Sequence, residues 1–256
     1  MCLKGENMNE QNRGGASSSR RKIVLCCIIG LIVLCALAAG AFAIYVSDYY
    51  HAADVEYAKE NGVEKNVYQD HVTYGDADST RGFIFYPGGK VEAEAYEPLL
   101  CSISEAGYFC ILVKMPFNLA VLDMDAAQDI RQKYDNVAEW YIGGHSLGGA
   151  MAASYVAGNA EQYEGLVLMA AYPTNALPEG FPVLSIYGSE DGVLNMEKYQ
   201  KGKQLAPTLT EIVINGGNHS QFGNYGIQKK DGSASISNVS QWQQVAEAMS
   251  SIGQKE

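Results

Sequence analysis

The sequence lacks the patterns typical of metalloproteins, dinucleotide-binding proteins and disulfide-rich folds. No cluster of His, Cys, Asp and Glu has metal-ligand spacing, and no glycine-rich fingerprint follows a strand, so we expect no cofactor. Of six cysteines, only Cys101 and Cys110 lie beyond the N-terminal end and a long apolar segment. Their positions on a predicted helix and a predicted buried strand favour two small core residues, with a disulfide as the alternative.

Positive charge is scarce after the first 22 residues. The chain has a net charge of −11, whereas residues 1–22 carry +3 and residues 23–47 carry none, so the remainder holds about −14. Such an acidic domain repels nucleic-acid phosphates and anionic lipid surfaces at long range. We therefore expect no nucleic-acid partner, and solubility is the simplest role for this charge.

The longest apolar segment is residues 23–46, which contain no charged side chain. At about 1.5 Å per residue, a helix of this length spans the roughly 30 Å hydrocarbon core of a bilayer. We expect a transmembrane anchor. A cleaved signal peptide is an alternative because Ala41-Phe42-Ala43 has the small-x-small form of a cleavage site. A buried core helix is a further alternative, although Arg20, Arg21 and Lys22 directly precede the segment.

The charges that flank the apolar segment predict its orientation. The basic cluster precedes it and Asp48 follows it, so the positive-inside rule places the N-terminus in the cytoplasm and the following domain outside. We therefore expect a single-pass protein of the cell membrane. Four parts are predicted: a cytoplasmic basic tail (1–22), a transmembrane anchor (23–46), a stalk or short helix (47–66) and one globular domain (67–256).

Short apolar runs alternate with helical patterns along that domain. Strands are predicted at His71–Tyr74, Gly82–Tyr86, Tyr108–Lys114, Trp140–Gly143, Leu166–Ala171, Val183–Tyr187 and Glu211–Ile214. Helices are predicted at Glu94–Ala106, Leu119–Tyr134, Leu147–Ala157, Asn195–Leu205 and Ser240–Ser251. This alternation predicts an α/β fold with a mostly parallel sheet and helices on both faces. Only about ten residues separate Ala171 from Val183, which predicts an open site with no lid domain.

Residues 144–148, Gly-His-Ser-Leu-Gly, match the G-x-S-x-G pattern of a nucleophile elbow. A buried-strand pattern leads into the motif and a helix of small residues leads out, which is the strand-turn-helix context that an elbow needs. The pattern predicts Ser146 as a nucleophile. His145 beside it is interpreted as a packing or solvent-facing residue.

The partners of Ser146 are predicted from chain order, which in this architecture runs Ser, acid, His. His219 is the one histidine after Ser146, and it follows the last predicted strand. Asp191 lies in the turn after the penultimate strand and is the predicted acid, with Glu190 as the alternative. Both acids are ordinary turn residues if no triad exists.

An oxyanion hole is predicted near the end of the strand Gly82–Tyr86. Residues 87–89, Pro-Gly-Gly, form a turn that can present backbone N–H groups, although an ordinary turn is the alternative. Together with the N–H of Leu147, the N–H of Gly89 or its neighbour is predicted to bind the oxyanion.

Three motifs together resemble a bacterial α/β-hydrolase family. They are Tyr-Pro-Gly-Gly at 86–89, Gly-Gly-His-Ser-Leu-Gly-Gly at 143–149 and Asn-His-x-Gln-Phe-Gly at 218–223. The resemblance implies the α/β-hydrolase fold and serine-dependent hydrolysis, with Ser146, Asp191 and His219 at the triad positions. The chain is also similar to proteins loosely labelled dienelactone-hydrolase-like, but dienelactone hydrolases proper have cysteine where this chain has Ser146, so their substrate is not carried over.

A carboxylic-ester hydrolase is the first functional hypothesis. It would act by a Ser-His-Asp triad through an acyl-enzyme, on small or lipid-like esters that reach an open site. Amide or peptide hydrolysis is the second hypothesis. The third is a catalytically inactive, membrane-tethered binding domain that keeps the fold.

Overall fold

The computed structural model describes residues 11–53 and 56–252. The chain divides into two compact units, Met1–Asp48 and Tyr49–Glu256. The first unit contains helix α1, Gln11–Ser47. Its stretch Arg21–Ser47 is long and apolar enough to cross a membrane. Residues 1–10 of the predicted tail lie outside the described residues, and the helix begins well before the predicted anchor.

Within the described residues, the second unit is built on one eight-stranded sheet. The strands are β1 Lys65–Val67, β2 His71–Tyr74, β3 Arg81–Tyr86, β4 Phe109–Val113, β5 Glu139–His145, β6 Gly165–Met169, β7 Val183–Gly188 and β8 Leu209–Ile214. Their spatial order is β1-β2-β4-β3-β5-β6-β7-β8. The β1 and β2 strands pair antiparallel, as do β2 and β4, and every other neighbouring pair is parallel.

Helices cover both faces of this sheet. They are α2 Tyr57–Glu60, α3 Glu97–Glu105, α4 Ala126–Arg131, α5 Leu147–Val156, α6 Met196–Lys203 and α7 Asn238–Met249. Helices α3 and α7 share one hydrophobic cluster with one face of the sheet, whereas α4 and α5 share the second cluster with the other. The predicted α/β class, with a mostly parallel sheet between two helical layers, is confirmed.

The central strands are apolar on both sides because both sheet faces are covered. In β3, Phe83 and Phe85 belong to the cluster under α3 and α7, whereas Ile84 and Tyr86 belong to the cluster under α4 and α5. All four side chains are fully buried. Successive strand residues point to opposite faces, so a parallel strand in this position needs a continuous apolar run.

The segment predicted as a stalk, residues 47–66, packs largely on the domain. Ala58 of α2 is buried, and its N–H donates to Oε1 of the buried Glu97 at 2.9 Å. The N–H of Tyr50 donates to the carbonyl oxygen of Lys90 at 2.8 Å. A stalk would leave these groups in water, so the domain begins near residue 49 rather than at residue 67. Residues 54 and 55 lie outside the described residues.

Two local predictions differ from the structure. The helix predicted over 119–134 is divided into a 3-10 turn, Ala120–Leu122, and the short helix α4. The backbone at Asp123 between them is not helical (φ −153°, ψ 60°). Val121 and Leu122 are exposed, so the segment lacks the continuous buried face of one longer helix. The predicted strands also omitted β1, whose three side chains are all exposed.

Cys101 and Cys110 are both buried and both free. Burial raises the pKa of the Cys101 thiol to about 12 and the pKa of Cys110 well above its ordinary value. Neither forms a disulfide, which confirms the interpretation of these residues as small core side chains. Burial and a raised pKa both make a thiol unreactive.

The connection between β6 and β7 is short and irregular. Residues 170–182 contain neither helix nor strand. This connection follows the carboxyl end of β6, where Ala170 and Ala171 line a cleft beside Ser146. The structure therefore agrees with the expectation that no lid domain is inserted here.

Candidate active site

Ser146 lies in the sharp turn between β5 and α5. Its backbone has φ 52° and ψ −119°, a conformation that side-chain-bearing residues rarely adopt. Such strain persists only where the surrounding structure enforces it, and it concentrates at functional sites. The turn lifts the serine out of the strand direction and exposes part of it at the carboxyl edge of the sheet.

The glycines on either side allow the backbone segments to approach closely. A Cβ at Gly144 would lie 2.4 Å from the carbonyl oxygen of Tyr86, and a Cβ at Gly148 would lie 2.2 Å from that of Pro87. Both distances are far below van der Waals contact. The elbow therefore needs glycine at both positions, because α5 starts directly against the end of β3.

Asp191 and His219 come together from the loops that follow β7 and β8. Oδ2 of Asp191 lies 2.9 Å from Nδ1 of His219, and the two side chains are 2% and 1% exposed. Oδ1 of Asp191 accepts hydrogen bonds from the N–H groups of Val193 at 2.8 Å and Leu194 at 2.7 Å. These bonds fix the carboxylate, which in turn fixes the plane of the imidazole.

The second nitrogen of His219, Nε2, is buried and has no hydrogen-bond partner among the described residues. His219 and Ser146 line the same cleft. With Nδ1–H donating to Asp191, a neutral imidazole carries a lone pair on Nε2, which can accept a proton. In unliganded active sites, the hydrogen bond between a catalytic base and its nucleophile is often long and shortens only when substrate binds.

The alternative acid, Glu190, does not approach this histidine. Its side chain is exposed, and its Oε1 accepts a hydrogen bond from the hydroxyl of Ser189 at 3.0 Å. The structure therefore brings Asp191, and not Glu190, to His219.

The cleft beside Ser146 has a volume of about 260 Å³ and a largely apolar lining. The lining residues are Ser146, Leu147, Ala150, Ala170, Ala171, Tyr172, Val193, Leu194, Asn195 and His219. Small side chains on one wall leave room near the serine. The cleft suits an apolar group of modest size that places a polar centre beside Ser146.

The turn at residues 87–89 lies against the first residue of α5. A Cβ at Gly89 would lie 2.7 Å from Cδ2 of Leu147, so the two backbones are close neighbours. The N–H of Gly88 donates to the hydroxyl of Tyr96 at 3.0 Å, and the N–H of Lys90 donates to the carbonyl oxygen of Asn118 at 2.8 Å. Of the N–H groups of Gly88, Gly89 and Lys90, only that of Gly89 has no hydrogen-bond partner among the described residues, so it is available for a ligand.

His145 is fully buried and has a packing role rather than a solvent-facing one. Its Nδ1 lies 2.8 Å from the hydroxyl of Tyr96. Burial, followed by the nearby His219, holds the pKa of His145 well below its ordinary value, so the ring is neutral near pH 7. Burial also raises the pKa of Tyr96, which keeps its hydroxyl protonated. Tyr96 thus connects the turn at Gly88 to the residue that precedes Ser146.

Sequence reasoning missed two residues that contact these loops. Tyr96 falls within the predicted helix Glu94–Ala106, and the sequence does not single it out. The sequence does not single out Asp231 either, although its carboxylate accepts hydrogen bonds from the N–H of Gly192, beside Asp191, and from the N–H of His219. No local motif marks either residue, because each acts through contacts with distant parts of the chain. Among the described residues, no group of three or more His, Cys, Asp and Glu could hold a metal ion.

Comparison with known proteins gives a family match and several solved structures of similar fold. The alpha/beta hydrolase family matches residues 82–243, which is more than half of the chain. No curated protein sequence resembles the chain significantly. The family match and the similar structures confirm the fold predicted from the sequence.

Three solved structures are similar at low sequence identity. The first, described as a predicted CIB-like hydrolase from Thermoplasma acidophilum, has a TM-score of 0.52 at 14% identity, covering 73% of this chain and 98% of its own. The second, Est1E from Butyrivibrio proteoclasticus with bound ferulic acid, has a TM-score of 0.54 at 14% identity, and the match covers 74% of this chain and 95% of Est1E. The third, a membrane phospholipase A described as a bacterial virulence factor, has a TM-score of 0.56 at 12% identity. That match covers 88% of this chain and 98% of the phospholipase chain.

Proposed function

Because this chain belongs to the alpha/beta hydrolase family, we propose that it is a serine hydrolase that cleaves carboxylic esters through an acyl-enzyme. The observation that carries the proposal is the arrangement of Asp191, His219 and Ser146. The buried Asp191 is bonded to Nδ1 of His219, and Nε2 of the same ring is left without a partner in the part of the chain that the structure describes. Ser146, in a strained elbow, lines the cleft with that ring.

The proposed reaction begins when Oγ of Ser146 attacks the ester carbonyl carbon and its proton moves to Nε2 of His219. Asp191 stabilises the imidazolium that forms. The negative charge on the carbonyl oxygen is stabilised by the N–H groups of Leu147 and Gly89. The bond to the alcohol oxygen then breaks as His219 returns the proton to the leaving alkoxide. Water attacks the acyl-enzyme by the same steps and releases the acid.

The proposed substrates are small or lipid-like esters. The cleft is apolar and open, and the connection between β6 and β7 does not cover it with a further domain. The ferulic acid in Est1E and the phospholipase activity in the name of the third similar protein belong to those proteins. They support only the general idea that this fold accommodates apolar acids and lipid esters.

Fluorophosphonate labelling of the full-length protein in detergent tests this function. Wild type is expected to label at one site, and Ser146→Ala and His219→Ala are expected not to label. Ser154→Ala is the matched control because Ser154 lies on the same helix, with its hydroxyl bonded to the carbonyl oxygen of Ala150. A folded wild type that stays unlabelled would overturn the proposal and favour a binding domain.

Hydrolysis of paired substrates distinguishes an esterase from an amidase. We expect turnover of short-chain aryl esters, and much slower turnover of anilides with the same acyl group. Preference for the anilide would favour the amidase hypothesis. Asp191→Asn is expected to lower kcat by about 10⁴, whereas Glu190→Gln should leave it nearly unchanged. Equal losses in the two variants would contradict the assignment of the acid.

The N-terminal helix is proposed to anchor the protein in the cell membrane, with the N-terminus in the cytoplasm and the domain outside. An 18-residue window within its stretch Arg21–Ser47 has a mean hydropathy of 3.0, and no residue of that window is buried. Carbonate extraction of membranes, combined with protease treatment of intact cells, tests the anchor and its orientation. A shortened, soluble domain in the external fraction would indicate a cleaved signal sequence instead.

A further inference from the structure

Asp231 lies in the loop between the 3-10 turn Ser220–Phe222 and helix α7. Its Oδ1 accepts hydrogen bonds from the N–H of Gly192 at 3.1 Å and from the N–H of His219 at 3.2 Å. Gly192 directly follows Asp191 in the chain. One carboxylate oxygen therefore bonds to the loop that carries the proposed acid and to the loop that carries the proposed base.

The second oxygen of this carboxylate contacts the residue after the histidine. Oδ2 accepts from the N–H of Ser220 at 2.7 Å and from its hydroxyl at 2.5 Å. The Ser220 hydroxyl in turn accepts from the N–H of Gln228 at 2.8 Å, in the same loop as Asp231. The backbone at His219 and Ser220 is thus held by two adjacent N–H groups that converge on one carboxylate.

Close backbone contacts support the same arrangement. A Cβ at Gly192 would lie 2.4 Å from the carbonyl oxygen of Lys230, and a Cβ at Gly232 would lie 1.9 Å from that of Glu190. The amide of Asn218 donates to the carbonyl oxygen of Gly232 at 2.8 Å. The Asp231 loop is therefore packed closely against the loops that follow β7 and β8.

Asp231 is held in its ionised form. Burial raises its pKa, but the hydrogen bonds from Ser220, Gly192 and His219 outweigh burial and leave the pKa below its ordinary value. An ionised carboxylate can only accept hydrogen bonds, and all of these partners are donors. A neutral amide at this position would turn its N–H₂ group towards one set of donors and lose those bonds.

We propose that Asp231 is a positioning residue that sets the distance between the Asp191 loop and the His219 loop and adds negative charge beside the imidazolium that forms during catalysis. This inference rests on the proposed hydrolase function. The ionisable groups facing His219 are Asp191 at Nδ1, Asp231 at its backbone and the neutral His145, whose ring centroid lies 4.4 Å from that of His219. Asp231 is thus a second carboxylate bonded to His219, at its backbone N–H, whereas Asp191 is bonded to its ring.

The test compares full-length wild type with Asp231→Asn in ester hydrolysis across pH. We expect kcat to fall about 10-fold to 100-fold with KM within about twofold, because a misplaced base affects the transition state more than binding. We also expect the acid limb of kcat/KM to move to lower pH. A nearby negative charge favours the protonated form of a catalytic base, so removal of that charge is expected to shift this limb downward.

Asp70→Asn is the matched control, because Asp70 is another hydrogen-bonded aspartate, paired with His71 and Lys133 at the far edge of the sheet. This control is expected to alter the melting temperature without changing kcat or the acid limb. Ser220→Ala removes one bond to Asp231 but keeps its charge, so we expect about a fivefold lower kcat and an unmoved acid limb.

If wild type is active and folded Asp231→Asn has the same kcat and the same pH profile, the positioning role is overturned. If Asp231→Asn does not fold, an unchanged kcat in Ser220→Ala overturns it instead. A wild type that hydrolyses no ester and reacts with no fluorophosphonate would overturn the proposed function, and the role of Asp231 with it.

Discussion

The rings of His145 and His219 lie side by side in the domain interior, with their centroids 4.4 Å apart. Both side chains are almost fully buried. Two charged imidazoles at this distance would repel each other strongly in a medium of low polarity. The pair therefore has unequal roles: His145 stays neutral, and His219 is free to accept a proton.

The neutral state of His145 makes stability depend on pH. Its pKa is held well below the ordinary value, mainly by burial, whereas in the unfolded chain the same imidazole binds a proton below about pH 6.5. The unfolded state then binds more protons than the folded one, so stability falls as the pH drops below 6.5. Between pH 7.5 and pH 5, we expect the melting temperature of His145→Gln to fall less than that of wild type. Thermal scans followed by circular dichroism measure both. Parallel curves for the two proteins would contradict this.

Tyr96→Phe is expected to lower both stability and activity. The substitution leaves the N–H of Gly88 and Nδ1 of His145 without the hydroxyl, which costs about 1 to 3 kcal/mol. It also releases the turn that carries Gly89, so we expect kcat to fall at least about tenfold.

Tyr108→Phe is the control for Tyr96→Phe. Tyr108 is equally buried, and its hydroxyl donates to the carbonyl oxygen of Met249 at 2.9 Å, within the cluster formed by α3 and α7. We expect the free energy of unfolding of Tyr108→Phe to fall by about 1 kcal/mol and its kcat to stay unchanged. A similar loss of kcat in both variants would show that general destabilisation, and not the turn, explains the effect.

Gly148→Ala is expected to disrupt the elbow. The new Cβ would lie 2.2 Å from the carbonyl oxygens of both Tyr86 and Pro87, so α5 would have to move away from β3. We expect the free energy of unfolding to fall by about 3 kcal/mol and the rate of fluorophosphonate labelling to fall at least about 100-fold. Gly158→Ala is the control, because its Cβ meets only the carbonyl oxygen of Tyr155 at 4.0 Å. Normal labelling of Gly148→Ala would show that the elbow relaxes easily.

A chain that begins at residue 67 is expected to be less stable than one that begins at residue 49. The shorter chain lacks α2 and the contacts of Tyr50, Tyr57 and Ala58 with the buried core. Losing this apolar burial costs about 3 kcal/mol or more, which is roughly 6 to 12 °C in melting temperature for a domain of this size. Equal melting temperatures in a thermal scan would support the stalk that the sequence indicated.

Much of the fold was predictable because its signals are local. Buried parallel strands such as β3 need continuous apolar runs, and the G-x-S-x-G motif needs a strand before it and a helix after it. Both requirements concern residues that are neighbours in the sequence. Asp191 and His219 were also predictable, because strand ends and chain order limit the candidates, and the structure brings their side chains together.

The missed features depend on contacts between distant residues. Tyr96 and Asp231 have no sequence neighbours that mark them, and their partners lie in other loops. The segment around Ala58 has many polar and aromatic residues and no clear period. The N–H of Ala58 in this segment donates a hydrogen bond to the carboxylate of Glu97, which lies 39 residues away in the sequence. Such long-range hydrogen bonds leave no periodic pattern for sequence reasoning to detect.

The short connection at residues 170–182 has a kinetic consequence. Lipases with a mobile cover show interfacial activation, in which turnover rises abruptly once the substrate forms micelles or droplets. The connection at residues 170–182, all of which the structure describes, contains no inserted cover that would have to swing aside, so we expect the cleft to be equally accessible to monomeric substrate and to aggregates. A hydrolase built in this way would follow simple saturation with dissolved esters, and its rate would show no jump at the critical micelle concentration.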